Sequence, residues 1–109
     1  MAAINFNEIF SNLKSGVEQL AKDNVNQFSK EATQDGLQFL NSSKKNLEKW
    51  TYQVANGEMD KDDLTFLING QRDLMEMAAL QKKGLAKIQI DKFKDGLCGI
   101  CIRTIFGIK

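Results

Sequence analysis

The sequence predicts an all-α protein: an elongated antiparallel hairpin of two long helices that associates with a second copy into a four-helix bundle. Three observations predict it. Apolar residues recur every eleven positions in both halves of the chain, and one strong turn signal separates the halves. The second half is also apolar over an arc too wide for a single neighbour to cover. Eleven residues make three turns at about 3.67 residues per turn, so such a stripe stays on one face of a nearly straight helix. The 109 residues are read as one domain, with a helix over 5–55, a turn over 56–60 and a helix over 61–106. The alternative is a compact three- or four-helix monomer whose arms each break.

The first helix is read from the stripe Phe6, Val17, Phe28, Phe39 and Trp50, with Phe10, Ala21, Ala32, Ser43 and Val54 four residues after each. Asn5 is placed to cap it, and Glu8 three residues later fits a capping box. Asp23-Asn24 is the first possible break, but Val25, Phe28 and Ala32 continue the stripe in phase, so continuation is expected. Asp35-Gly36 and Asn41-Ser42-Ser43 carry turn and cap chemistry. The stripe thins there and recovers at Leu47, Trp50 and Val54, so the register again favours one helix.

Asn56-Gly57 ends that helix, because Gly or Asn just past a last turn adopts the left-handed conformation cheaply. Asp60 then reads as an N-cap, with Asp62 and Asp63 in the first turn, where the helix dipole favours negative charge. The second helix follows from Leu64, Met75, Ala86, Leu97 and Ile108 at the same eleven-residue step, with Ile68, Ala79, Ile90 and Cys101 beside them. Its interior glycines allow a bend, most readily between Gly96 and Gly99. One antiparallel register sets Trp50 against Ile68, Phe39 against Ala79, Phe28 against Ile90 and Val25 against Phe93. The same register sets Val17 against Cys101, Leu13 against Ile105 and Phe10 against Ile108. The expected core and interface residues are therefore Phe6, Phe10, Val17, Phe28, Phe39, Trp50, Leu64, Ile68, Met75, Ile90, Phe93, Leu97 and Ile105. Phe66, Leu67, Leu74, Met77, Leu80, Leu85, Ile88 and Ile102 lie off these tracks. They require further partners, most simply a second chain in a coiled-coil-like dimer.

Composition narrows the function. With no His, the commonest general base and metal ligand is missing, and a net charge of +1 gives no global pull toward nucleic acid or an acidic partner. The first residues lack the basic and apolar regions of a secretory signal, and no apolar run reaches the ~18–20 residues of a membrane span, so a cytoplasmic location is expected. Cys98 and Cys101 form a CxxC and are metal or redox candidates. Two small apolar residues one turn apart on a buried helix explain them more simply. Asp60, Asp62 and Asp63 lack the glycine and distal Glu of a calcium loop. Lys44, Lys45 and Lys49 beside Trp50 make too small a patch for nucleic acid; of the aromatic pair Trp50 and Tyr52 that could anchor a ligand or partner, Trp50 lies on the stripe and reads as core.

From Glu58 to Glu76 six acids face two bases, whereas from Lys82 to Lys109 seven bases face two acids. That gradient complements the helix dipole. The sequence thus points to a non-enzymatic structural or adaptor module that needs no cofactor, self-associates and binds a protein partner. The alternative is a peripheral membrane protein that uses the basic, apolar C-terminal helix 82–109.

Overall fold

A computed structural model describes residues 5–107 of the chain. The first helix begins where the sequence places it: α1 spans Phe6–Asn24, and the Asn5 side chain accepts a hydrogen bond from the Asn7 N–H at 3.0 Å. The Glu8 side chain takes no part in that cap. α1 then stops. Val25 leaves the helical conformation at φ −136 and ψ 54, a single 3₁₀ turn covers Asn26–Phe28, and α2 (Ser29–Ser42) folds back on α1. At the end of α1 the Asn24 side-chain amide donates to the Leu20 carbonyl.

What holds α2 against α1 is a close approach at Gly36, where a Cβ would lie 2.5 Å from Cγ1 of Val17. Asp35-Gly36 is therefore a mid-helix contact and not a turn. α2 passes into α3 (Lys44–Ala55) at Ser43 with little interruption: the Ser43 N–H bonds Phe39 O, and the Leu47 N–H bonds Ser43 O. Ser43 is a bend in one path rather than a separate cap.

The turn after α3 has the anticipated chemistry. The Glu58 N–H bonds Gln53 O at 2.8 Å, the Gly57 N–H bonds Val54 O at 3.1 Å, and Gly57 has φ +77. That double bond pattern around a left-handed glycine is a Schellman motif. Asp60 then opens α4 (Lys61–Gln71) with a reciprocal capping box: its carboxylate accepts from the Asp63 N–H, and the Asp63 carboxylate accepts from the Asp60 N–H. A 3₁₀ turn at Arg72–Leu74 prolongs α4.

The second arm also breaks, at places other than Gly96–Gly99. Met75 is extended, and Met77 has φ 53, a left-handed conformation uncommon outside glycine. The five-residue α5 (Ala78–Lys82) follows, closed by a second Schellman motif in which Leu85 N–H bonds Leu80 O, Gly84 N–H bonds Gln81 O, and Gly84 has φ +76. α6 (Lys87–Phe106) then runs unbroken through both glycines.

The chain is all-α, with no strand among the described residues. It is the compact form of that class, and this corrects the elongated hairpin. A 50-residue arm would be ~75 Å long at 1.5 Å per residue, whereas the long dimension is 47 Å. α1 lies between α2 and α6; α6 also packs on α4 and α3, and α5 lies on α2. α3 packs on α2 and α6 rather than along α4, so the Asn56–Asp60 turn is a corner between diverging helices and not the tip of a hairpin. One part of the expected register does appear. α1 and α6 run antiparallel, with Ile100 over Gly16 and Leu20 over Gly96, within two residues of the expected alignment.

The core is a single cluster. Phe6, Phe10, Val17, Phe39, Trp50, Leu64, Ile68, Met75, Ile90, Phe93, Leu97 and Ile105 are all buried within this one chain, and Phe28 is half-buried against them. These stripe residues thus face several other helices of the same chain rather than one partner arm. Ile108 lies outside the described residues.

Candidate functional site

Of the eight off-stripe apolar residues, Met77 and Leu80 are buried by the α5 excursion, and Leu67, Leu85 and Ile102 are half-buried against the core. Three stay in solvent: Phe66 is 80% exposed, Leu74 69% and Ile88 67%. All three belong to the elements that form the seam between α4 and α6. Arg72, in the 3₁₀ extension of α4, closes that seam. Its Nε lies 2.6 Å from Asp95 Oδ1 and its terminal nitrogen 3.9 Å from Asp91 Oδ1. Leu74 follows Arg72 by two residues, and Ile88 precedes Asp91 by one helical turn. The seam's inner side is sealed by Cys98, whose thiol reaches the Ile68 carbonyl at 3.8 Å. The Arg72 ion pairs are partly solvated, so they fix geometry more than they stabilise.

A second feature is a cleft of about 200 Å³ between α2 and the α4–α5 connection, bordered by Asp35, Gln38, Ser42, Gln71, Glu76 and Met77 among others. Asp35 is 4% exposed, and its two carboxylate oxygens accept hydrogen bonds from the Ala79 N–H at 3.0 Å and the Leu80 N–H at 2.8 Å. α5 is far too short to be stable alone. Asp35 supplies the N-terminal acceptor that Met77 does not, and it pins Leu80 into the core. Turn chemistry is all that the local sequence suggests for Asp35. The signal for its real role is position: it lies three residues after Ala32 and four before Phe39, on the core-facing stripe, where an acid needs a partner.

The CxxC lies in the core of the chain. Cys98 and Cys101 are buried free thiols. Burial pushes the Cys98 thiol up to about 11, with the negative charge of Asp95 adding to the effect, and burial beside Cys98 pushes Cys101 to about 12. A reactive cysteine needs the opposite, an exposed site that favours the thiolate. Among the described residues, no group of three or more His, Cys, Asp or Glu is arranged to hold a metal ion.

The remaining candidates have structural places. Asp60 and Asp63 are the capping box. Lys44 and Lys14 each set their ammonium 5.0 Å from the Phe10 ring centroid, a cation–π arrangement at the rim of the core. Trp50 is buried, and Tyr52 is exposed. α6 turns Leu97, Cys101 and Ile105 inward, so the apolar face that would have entered a membrane interface is core. No described helix is long and apolar enough to cross a membrane. Comparison with known protein families, curated proteins and solved structures finds no match, so the functional reading rests on the geometry above.

Proposed function

We propose that the protein is a non-enzymatic structural or adaptor module that self-associates and presents helix faces to protein partners. The observation that carries this reading is the exposure of Phe66, Leu74 and Ile88. A chain that turns two of its helix axes sharply, at Val25 and at Met75–Met77, to cover surplus apolar surface still leaves three large side chains in water, on α4, its 3₁₀ extension and α6. Single exposed apolar residues are ordinary, but several along one pair of packed elements mark an interaction surface. The best-formed polar group beside the cleft, Asp35, already has both oxygens engaged in holding α5, which favours scaffolding over chemistry there.

Sedimentation equilibrium of the full chain between ~5 and ~500 µM tests the reading. A mass that rises with concentration is the expected result, and a monomer throughout refutes self-association. Flotation with anionic liposomes is expected to leave the chain in the unbound fraction. Co-flotation would favour the membrane-surface alternative.

A further inference from the structure

We infer that the cleft between α2 and the α4–α5 connection is a binding site for a small aliphatic amine, held by its ammonium group. The cleft measures about 200 Å³. One water needs only ~10–15 Å³ of such space, so a ligand of several heavy atoms fits. Two buried polar side chains line it with hydrogen-bonding capacity to spare. Asp35 is 4% exposed, and its oxygens accept the Ala79 and Leu80 N–H groups, one each. A carboxylate has about four acceptor positions, so roughly half stay available. Ser43 is 5% exposed and lines the same cleft. Its backbone is used up, since its N–H bonds Phe39 O and its carbonyl accepts the Leu47 N–H. Its hydroxyl, however, has no hydrogen-bond partner among the described residues. Thr51, another buried hydroxyl on this helical path, satisfies itself on the Leu47 carbonyl at 2.7 Å. A buried hydroxyl left open costs free energy unless an occupant of the cleft bonds it.

The charge of the walls selects the ligand. Glu76, which is exposed, adds a second carboxylate, and none of the described residues lining the cleft is basic. The bases directly adjacent in sequence to lining residues are engaged elsewhere. Lys44 sets its ammonium over the Phe10 ring, and Arg72 reaches Asp91 and Asp95 of α6. Such a site repels anions and favours a cation that carries N–H donors. A metal ion fits less well, because among the described residues no group of three or more His, Cys, Asp or Glu is gathered to hold one. A primary ammonium brings three donors and no acceptor. The buried residues Phe39, Met75 and Met77 give its aliphatic chain an apolar wall. Asp35 is already fixed by its bonds to α5, so the acceptor is in place before the ligand arrives and little ordering is left to do. Binding makes and breaks no covalent bond. It adds a ligand to the module proposed above and does not depend on self-association.

Titration of the full chain with n-butylammonium chloride at constant ionic strength, followed by amide NMR, tests the site. A saturable curve with a dissociation constant of ~1 mM is expected for a ligand of so few heavy atoms. The shifts should centre on Asp35, Ser43 and Met77. Sodium butyrate, of similar size and opposite charge, should leave those amides unmoved. Ser43→Ala should weaken amine binding by ~10-fold through the lost hydrogen bond. Glu76→Gln, at an exposed position where the fold is indifferent to the change, should weaken it by ~3-fold. Circular dichroism of both variants should match the parent. N-acetyl-lysine methylamide carries the same head group on a peptide and should bind at least ~10-fold more weakly, because a cleft of this size has no room for its backbone. No saturation by ~50 mM amine, an equal response to butyrate, or parent-like affinity in both variants overturns the site. Equal affinity for the lysine derivative overturns the small-amine assignment and gives the cleft to a lysine of a partner protein.

Discussion

Removing the Asp35 carboxylate tests how a short helix is held on this fold. Asp35→Ala deletes two hydrogen bonds from an ionised acceptor, at 3.0 and 2.8 Å, and leaves the Ala79 and Leu80 N–H groups without their partner. Hydrogen bonds to a charged group contribute about 1.5–3 kcal/mol each, and a buried orphaned donor keeps its full desolvation cost. The two bonds share one carboxylate, so their effects do not simply add. The cleft beside Asp35 also lets water reach part of the site. The expected loss is therefore about 3 kcal/mol, near the lower end of the simple sum. It is a large share of the ~5–15 kcal/mol that such a domain has. Asp35→Asn keeps one acceptor oxygen and should lose roughly half as much. Urea unfolding followed by circular dichroism measures the global effect, and a fall in melting temperature of roughly 10–15 °C should accompany it. Amide exchange measures the local one: protection at Ala79 and Leu80 should drop by ~100-fold or more, while amides of α1 fall only in step with global stability. A loss below ~1 kcal/mol, or unchanged protection at those two amides, would refute the account of α5 as a segment pinned from α2.

Other outcomes follow from local contacts. Gly36→Ala should destabilise by about 1–3 kcal/mol despite its better helix propensity, because the new Cβ meets Cγ1 of fully buried Val17 at 2.5 Å. Gly96→Ala should be near neutral, because its Cβ meets the end of the flexible, half-exposed Leu20 side chain, which can move aside. Equal effects in thermal melts would show that the α1–α2 approach is not tighter than the α1–α6 one. Asp60→Ala removes the capping acceptor of α4 and should cost about 1 kcal/mol, read by denaturant titration. The folded thiols hold their protons more tightly than unfolded ones with an ordinary value of 9.0. This contribution to stability is thus full below pH 9 and drains as pH rises through about 11 and 12. A Cys98→Ser/Cys101→Ala variant should lose less stability than the parent between pH 9 and 12, and an identical alkaline slope would contradict the burial argument. In the parent at pH 8, thiol labelling should be far slower when native than in denaturant.

The candidate face is partly legible in the amino-acid sequence. Phe66, Leu74 and Ile88 stand off the eleven-residue stripe, so the periodicity leaves them in need of partners. Nothing local, however, separates them from Met77 and Leu80, which stand off the stripe in the same way and which the α5 detour buries. Whether an off-stripe residue ends in solvent depends on which helix crosses over it. The Arg72 contacts with Asp91 and Asp95 are equally hidden, since charges this far apart in sequence have no spacing signature.

The sequence by itself determined the all-α class, the helix stop at Asn56-Gly57, the start at Asp60 and the burial of most of the stripe residues. Each of these is decided within about four residues along the chain, by hydrogen bonds and periodicities that the helix itself supplies. The tertiary structure alone decided that α1 ends at Asn24, that Met75–Met77 break the second arm, and which helices of the chain the stripe residues meet. Those outcomes depend on groups far apart in sequence: Val17 seated against Gly36, and the Asp35 carboxylate on amides 44 and 45 residues away. A stripe in phase shows that a helix can continue. Whether it does is settled by the free energy of the surfaces that a break brings together, which no local pattern encodes.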